Sequence, residues 1–387
     1  MSGLMQFSRR KVLAFAASAL LVLSACEPVV SDKPGASTLG KMVTVALLVS
    51  SGTGDPIDDL NAKSFENAAR LAMADLGATN IDLRVYSAGA TAASGSAAAT
   101  KAAADGASII LGPLYGEASN AAAVAVRAQG INVLSFSNNP TIAGGNLFIL
   151  GTTYDSVASR LASYAARQGK KNVVIVHANT AAENLGRDAI SRAVQANGGK
   201  IAGTVAFNFS QNDIINAIPQ VASKVKSAAA DVVFFTSTTD GALPFLAELL
   251  PSNGVSGATT QFIGLQRWDL PATAPATPGL QGGWFAAPDP ALAAQYRGRY
   301  VAAYGSDPHS LSGLAYDGMA AVGALIKSGQ PLDAASLMQG KGFVGVNGIF
   351  RFRSDGTNER ALAVMQVQGG TVRQLEAAPR SFGLAGF

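Results

Sequence analysis

Val43-Thr44-Val45-Ala46-Leu47-Leu48-Val49 runs into Ser50-Ser51-Gly52, and from about Asp58 to Leu76 the residues Phe65, Ala68, Ala69, Ala72 and Leu76 recur at helical spacing before Gly77. A short, unbroken apolar run ending in small polar residues is the pattern of a strand buried on both faces. The period behind it is that of a helix laid over the sheet, and a glycine just past the last periodic residue closes that helix. Strand, crossover helix and next strand build a parallel sheet.

The same unit recurs outward from this stretch. Ile81 to Tyr86, an Ala-rich helix, Ile109-Ile110-Leu111 into Gly112-Pro113, a helix near Glu117 to Ala128, and Ile131 to Ser135 continue the alternation. A second series begins after Leu147 to Gly151, with helices over Asp155–Arg167, Glu183–Ala196, Asp213–Ser227 and Ala242–Leu250. Strands fall at Asn172–His177, Ile201–Phe209, Val232–Thr236 and Phe262–Gly264. Two doubly wound parallel sheets, an α/β fold, follow from this order. Ala294–Tyr304 and Leu311–Lys327 read as helices that pack on the first lobe, and the texture turns to β after Phe343. No internal repeat of 20–50 residues is found.

The first 26 residues form an export leader. Arg9-Arg10-Lys11 precede an apolar run from Val12 to Leu23 of about a dozen residues, too short for the roughly 20 that span a bilayer. Leu23-Ser24-Ala25-Cys26 resembles the lipobox of bacterial lipoproteins, which makes Cys26, the chain's one cysteine, an acylation site. More than one acyl chain gives stable anchoring. Ser8-Arg9-Arg10 also resembles a twin-arginine signal, although adjacent arginines are ordinary in any such leader. Glu27 to Lys41 reads as a flexible tether. Glu27 rather than Asp after the cysteine resembles outer-membrane rather than inner-membrane sorting.

Composition excludes several functions. With 48% hydrophobic and 14% charged residues the chain is globular. Its net charge of +4 shrinks without the leader to 26 basic residues against 25 acidic, and no basic cluster follows residue 26, so nucleic acid is not a partner. The two histidines, His177 and His309, lie far apart, and no His/Cys metal set can be assembled from them. Gly52-Thr53-Gly54 begins a dinucleotide fingerprint that fails at Ile57, and neither a phosphate-binding loop nor a nucleophile elbow occurs. No cofactor, metal or catalytic residue is expected.

The strand-end loops carry the binding expectation. Ser50 and Ser51, Tyr115 and Gly116, Ser137, Asn138 and Asn139, and Thr238, Thr239 and Asp240 gather small polar groups where parallel sheets present their crevice. Helix starts behind them could receive a carboxylate. Ser, Asn and Asp also cap helices, and it is the recurrence across several strands that favours a cleft.

Over nearly all of Val43 to Leu375 the order of segments resembles the type I periplasmic binding fold of the leucine/isoleucine/valine-binding family. Gly112-Pro113-Leu114 is similar to its strand-end turn, Leu150 to Thr153 to its first hinge, and Val346 to Thr357 to its closing crossover and hairpin. The resemblance implies two lobes joined by three hinge crossovers, lobe 1 being 42–152 plus 284–342 and lobe 2 being 153–283 plus 343–387. Leu134 to Asn139, Gln266-Arg267-Trp268-Asp269 and Gly283 to Pro290 resemble the lipoprotein branch that activates penicillin-binding proteins in peptidoglycan synthesis. On that resemblance Gln266 and Trp268 join the cleft set and the partner is a penicillin-binding protein. The alternative is a receptor delivering an amino acid or similar polar solute to an ABC permease. The family's amino-acid receptors use a serine, a threonine, a tyrosine and an acid. Gly116, Asn139, Leu185 and Gln266 stand at those places here, so leucine is not expected to bind in the same way.

Overall fold

The computed structural model describes residues 38, 40–77 and 80–383. The leader, the Cys26 acylation site and most of the tether lie outside the described residues. β1 (Val43–Val49) is buried nearly throughout and leads into α1 (Pro56–Leu76). Asp55 caps that helix by accepting from the Ile57 amide at 2.8 Å, Pro56 pre-sets its first turn, and Gly77 closes it at φ +58°. β2 (Ile81–Ser87), α2 (Ala92–Ala104), β3 (Ile109–Leu111), α3 (Gly116–Val126), β4 (Asn132–Ser135) and β5 (Leu147–Ile149) follow. The five strands form a wholly parallel sheet of order β2-β1-β3-β4-β5.

The chain then crosses to a second lobe. α4 (Tyr154–Arg167), β6 (Asn172–Ala178), α5 (Ala181–Ala196), β7 (Lys200–Phe207), α6 (Gln211–Ser227), β8 (Val232–Phe235), α7 (Leu243–Leu249), β9 (Gln261–Gly264) and β10 (Trp284–Ala287) alternate as in the first. Their strands run β7-β6-β8-β9-β10, all parallel, which is the first lobe's order repeated. No matching sequence repeat accompanies it.

α8 (Pro290–Tyr304) and α9 (Gly313–Lys327) pack on the first lobe, burying Tyr296, Tyr300, Met319 and Leu325 with Val45, Leu47 and Phe65. α10 (Ala334–Leu337) and a small antiparallel sheet of β11 (Phe343–Gly345), β12 (Gly348–Phe352) and β13 (Asn358–Arg360) come next. β14 (Ala363–Gln368) and β15 (Thr371–Glu376) then extend the second sheet antiparallel beyond β10.

Two expected lobe boundaries move. Trp284–Ala287 pairs with β9 and β14, so the second crossover follows Ala287 instead of preceding 284. Phe343, Val346, Phe350 and Phe352 belong to the first lobe's core, with Phe352 edge-on to Phe148 at 5.4 Å, so the second lobe resumes after Arg360 and not at 343. Both shifts have one cause: an apolar strand reads alike whichever sheet accepts it, and tertiary packing chooses the sheet.

Side chains from the third crossover hold the first. Arg360, with no exposed side-chain surface, donates through Nε and Nη2 to the Leu150 carbonyl at 2.9 and 2.7 Å and through Nη1 to Asp317 of α9 at 2.8 Å. Asp317, equally buried, also accepts from the Val346 amide at 2.8 Å. Asn358 Nδ2 reaches the carbonyls of Ile149 and Gly151 at 2.7 and 2.8 Å.

Candidate functional site

In the first sheet the strand order reverses between β1 and β3, so the crevice of such a sheet opens beyond Val49 and Leu111. Gly112 makes the turn after β3 at φ +82°, where an added Cβ would stand 2.2 Å from the Leu48 carbonyl oxygen. Only glycine lets the chain hug β1 there before α3 begins. Tyr115, the residue before α3, caps it with no side-chain hydrogen bond, which leaves the first amides of that helix open.

A cavity of about 480 Å³ lies at this edge, between the lobes. From the first lobe it is lined by Leu114, Tyr115, Gly116, Phe136, Ser137 and Asn138, and from the second by Tyr154, Leu265, Gln266, Arg267 and Ala286. Gly151 and Thr152 of the first crossover, Pro288 of the second and Leu362 of the third also border it. Gln266 donates to the Tyr154 hydroxyl at 3.2 Å. The Tyr115 hydroxyl donates to Asp58 at 3.1 Å, and burial together with that carboxylate raises its pKa. Arg267 is held bidentate by Asp269.

Of the residues expected at a cleft, Tyr115, Gly116, Ser137, Asn138 and Gln266 line this cavity together. The others stand elsewhere, each for a visible reason. Ser50 is buried behind the loop and lines a small void with Asp58 and Phe65, and the Ser51 carbonyl accepts from the Ser87 hydroxyl. Asn139 turns its carbonyl to the Thr141 amide and hydroxyl at 3.0 and 2.8 Å. Thr238 and Asp240 are exposed beyond the cavity, and the Thr239 hydroxyl donates to the Leu270 carbonyl.

Trp268 is a core residue. It is fully buried with Phe235 and Phe262, and Gly264 and Gly283 pass so close that a Cβ on either would come within about 2 Å of the indole.

In the second lobe, the crevice between β6 and β8 is filled by the chain itself. Glu183 of α5 accepts from the Ala178 amide at 2.6 Å and from the Thr236 and Ser237 hydroxyls at 2.7 and 3.1 Å. His177 is buried beside it with Nδ1 2.9 Å from the Ala178 carbonyl. The second lobe therefore contributes to the cavity from the ends of β9 and β10 and from α4. Sequence reading missed Thr152 of the first crossover, Tyr154 at the start of α4, Arg267 beyond β9, and Ser310 and Asn347 in loops of the returning segment. The one signal for Tyr154 is its place directly after the expected first hinge.

A second cavity of about 600 Å³ borders the first and third crossovers, but its arginines are already engaged. Arg192 pairs with Asp155 at 2.7 Å, and Arg160 donates to the carbonyls of Leu362 and Ala377 at 2.6 and 3.1 Å and to Glu376. Among the described residues no group of three His, Cys, Asp or Glu could hold a metal ion, and no helix is long and apolar enough to cross a membrane.

Two like-wound lobes with a cavity where their crossovers meet are the build of a two-lobed ligand-binding protein. The chain belongs to the periplasmic binding protein family, whose profile matches residues 43–371, and it has the type I fold. It is accordingly a binding protein rather than an enzyme. Among solved structures it is similar to a periplasmic ligand-binding protein of a branched-chain amino acid ABC transporter from Burkholderia xenovorans, at 17% identity and a TM-score of 0.68, covering 87% of this chain and 96% of that one. It is similar to an ABC transporter substrate-binding protein from Desulfitobacterium hafniense in complex with Leu, at 20% identity and TM-score 0.64, covering 86% and 99%. A third is a solute-binding protein from Rhodopseudomonas palustris in complex with 3,4-dihydroxybenzoic acid, at 18% identity and TM-score 0.60, covering 89% and 99%. No curated protein matches the sequence.

Proposed function

We propose that this chain is an exported, lipid-anchored solute receptor that takes a small ligand between its lobes and presents it to an ABC permease. The observation that carries the reading is the cavity of about 480 Å³ at the carboxyl edges of both sheets, where Tyr115, Ser137, Asn138, Tyr154 and Gln266 converge on space bordered by all three crossovers. A ligand held there touches both lobes, so its binding is coupled to their relative position. The similar structures support the reading, since each is described as the binding component of an ABC transporter. Cys26 supplies the anchor, and replacing it by serine should move the protein from the membrane fraction to the soluble fraction of the periplasm.

The test is thermal unfolding of the chain from about residue 40 against a panel of small solutes. A ligand at a hundred times its dissociation constant stabilises the fold by about 2.7 kcal/mol. The Asn138→Ala and Tyr154→Ala variants should weaken that binding, and unchanged affinity in both would refute the placement of the ligand.

A second reading is a regulator that docks on a peptidoglycan-synthesising penicillin-binding protein. It draws on exposed aromatic side chains outside the cleft, Phe209 at 66% and Phe245 at 53% exposure, on the second lobe. Its test is co-purification with periplasmic synthases, which should be lost in the Phe209→Ser, Phe245→Ser double variant.

A further inference from the structure

An ammonium group and a carboxylate make opposite demands on a cavity that excludes water. The first needs acceptor oxygens, and an anion compensates its charge best, whereas the second needs N–H and O–H donors or a cation. No residue lining the inter-lobe cavity is an aspartate or a glutamate. The nearby acids are all engaged: Asp58 accepts from the hydroxyls of Tyr115 and Thr53 and lies outside the lining, Asp269 is clasped by Arg267, and Glu183 takes three donors inside the second lobe. Gln266, a neutral amide, lines the cavity from the end of β9, and its Nε2 donates one of its two hydrogens to the Tyr154 hydroxyl.

Donors, by contrast, are left over. Ser137 is 6% exposed, lines the cavity and accepts from the Asn139 amide, while its own hydroxyl proton has no acceptor among the described contacts. Arg267 spends Nε and Nη2 on Asp269 and keeps Nη1 without a hydrogen bond. The uncapped start of α3 opens beside them, since Tyr115 and Gly116 border the same space, and its first-turn amides carry the positive end of the helix dipole. Leu114, Phe136, Leu265, Leu311 and Leu314 form the apolar part of the wall, and Thr152, Tyr154, Ser310 and Asn347 add neutral polar groups.

We infer that the cleft selects small carboxylates with an apolar body and no ammonium group, and discriminates against the α-amino acids of the same skeleton. The inference rests on the reading of the cavity as a solute site and deepens it. The carboxylate meets Ser137, Asn138 and the start of α3, and the body lies on the leucine-rich wall.

The experiment is calorimetric titration of the chain from about residue 40 with matched sets: 4-methylpentanoate, leucine and 3-methylbutylamine, then 3-phenylpropanoate, phenylalanine and 2-phenylethylamine. Each set is run on the wild type and on Gln266→Glu, which places one carboxylate in the cavity. In the wild type at least one acid should bind at least 100-fold more tightly than its amino acid, and Gln266→Glu should narrow or reverse that ratio. Leucine or phenylalanine binding as tightly as the matching acid, or an amine binding better than either, would overturn the inference while leaving the solute-receptor reading in place. Absence of acid binding to the wild type also overturns it. In that case a gain of amino-acid binding in Gln266→Glu keeps the cavity as a solute site, and no binding to either protein removes the receptor reading as well.

Discussion

Replacing Asp317 with asparagine should be among the most damaging single changes at the crossovers, although it alters only one atom of the side chain. The variant removes the anion facing Arg360, whose guanidinium has no exposed surface and keeps neutral partners, the Leu150 carbonyl and the Phe350 ring 4.8 Å away. Breaking a buried ion pair from one side costs about 3–5 kcal/mol, because the remaining charge is stranded in a low-dielectric site. At about 2.1 cal/mol/K per residue over roughly 345 folded residues the unfolding entropy is about 0.7 kcal/mol/K, so the melting temperature should fall by about 4–7 °C. Arg360→Met should cost less, about 1–3 kcal/mol, because Asp317 keeps the Val346 amide at 2.8 Å and the Asn347 side-chain amide at 3.0 Å as donors. The Asp317→Leu, Arg360→Met double variant should recover much of the loss, since neither charge then remains buried. Urea titration of the four proteins, followed by circular dichroism, measures these differences. A loss below about 1 kcal/mol in Asp317→Asn, or a larger loss in Arg360→Met than in Asp317→Asn, would refute the reasoning.

Three further outcomes follow from residues described above. Trp268→Ala should destabilise the second lobe by about 3–5 kcal/mol while leaving ligand affinity unchanged at temperatures where the variant is folded, as measured by urea unfolding and calorimetry. Burial lowers the pKa of His309, so the unfolded chain takes up that proton first as pH falls. Stability present above about pH 6.5 should therefore decline below it, and His309→Asn should flatten the fall in urea midpoint between about pH 7 and pH 5.5. Glu66 and Glu376 act at lower pH: burial pushes both carboxyls up, but their basic partners outweigh it and hold them below the ordinary value. Gly112→Ala should lower both stability and ligand affinity, because the added methyl group meets the Leu48 carbonyl and displaces the start of α3. An unchanged melting temperature would show that the turn has room.

The alternation of apolar strands and periodic helices was enough to foresee both sheets, since strands such as β1 and β8 are buried on both faces and appear in sequence as unbroken apolar runs. What sequence could not convey was ownership. The run Trp284–Ala287 could close one sheet or open the other, and only its register with β9 and β14 decides. At the site, residues directly after first-lobe strands were foreseeable because the sheet's winding aims them at the crevice, as with Tyr115, Ser137 and Asn138. Thr238 to Asp240 do not follow the same rule because Glu183 of α5 occupies the corresponding space in the second lobe. Trp268 entered the cleft set through the resemblance of residues 266–269, and a resemblance of segments does not say which way an indole turns. The slot that buries it is made by two glycines, Gly264 and Gly283, that are distant in sequence from each other.

The placement of the indoles also gives the molecule an optical asymmetry. Trp268 and Trp284, the chain's two tryptophans, both lie in the second lobe, whereas Tyr86, Tyr115, Tyr296, Tyr300, Tyr304 and Tyr316 lie in the first. Indole emission is thus a private reporter of the second lobe's unfolding. Trp268 does not border the cleft and Trp284 packs edge-on against Tyr164 at 4.9 Å, so a ligand can arrive without touching either fluorophore. A fluorescence screen for ligands would stay dark on a protein that binds them well, and the same silence makes indole emission a clean monitor of folding in the presence of any solute.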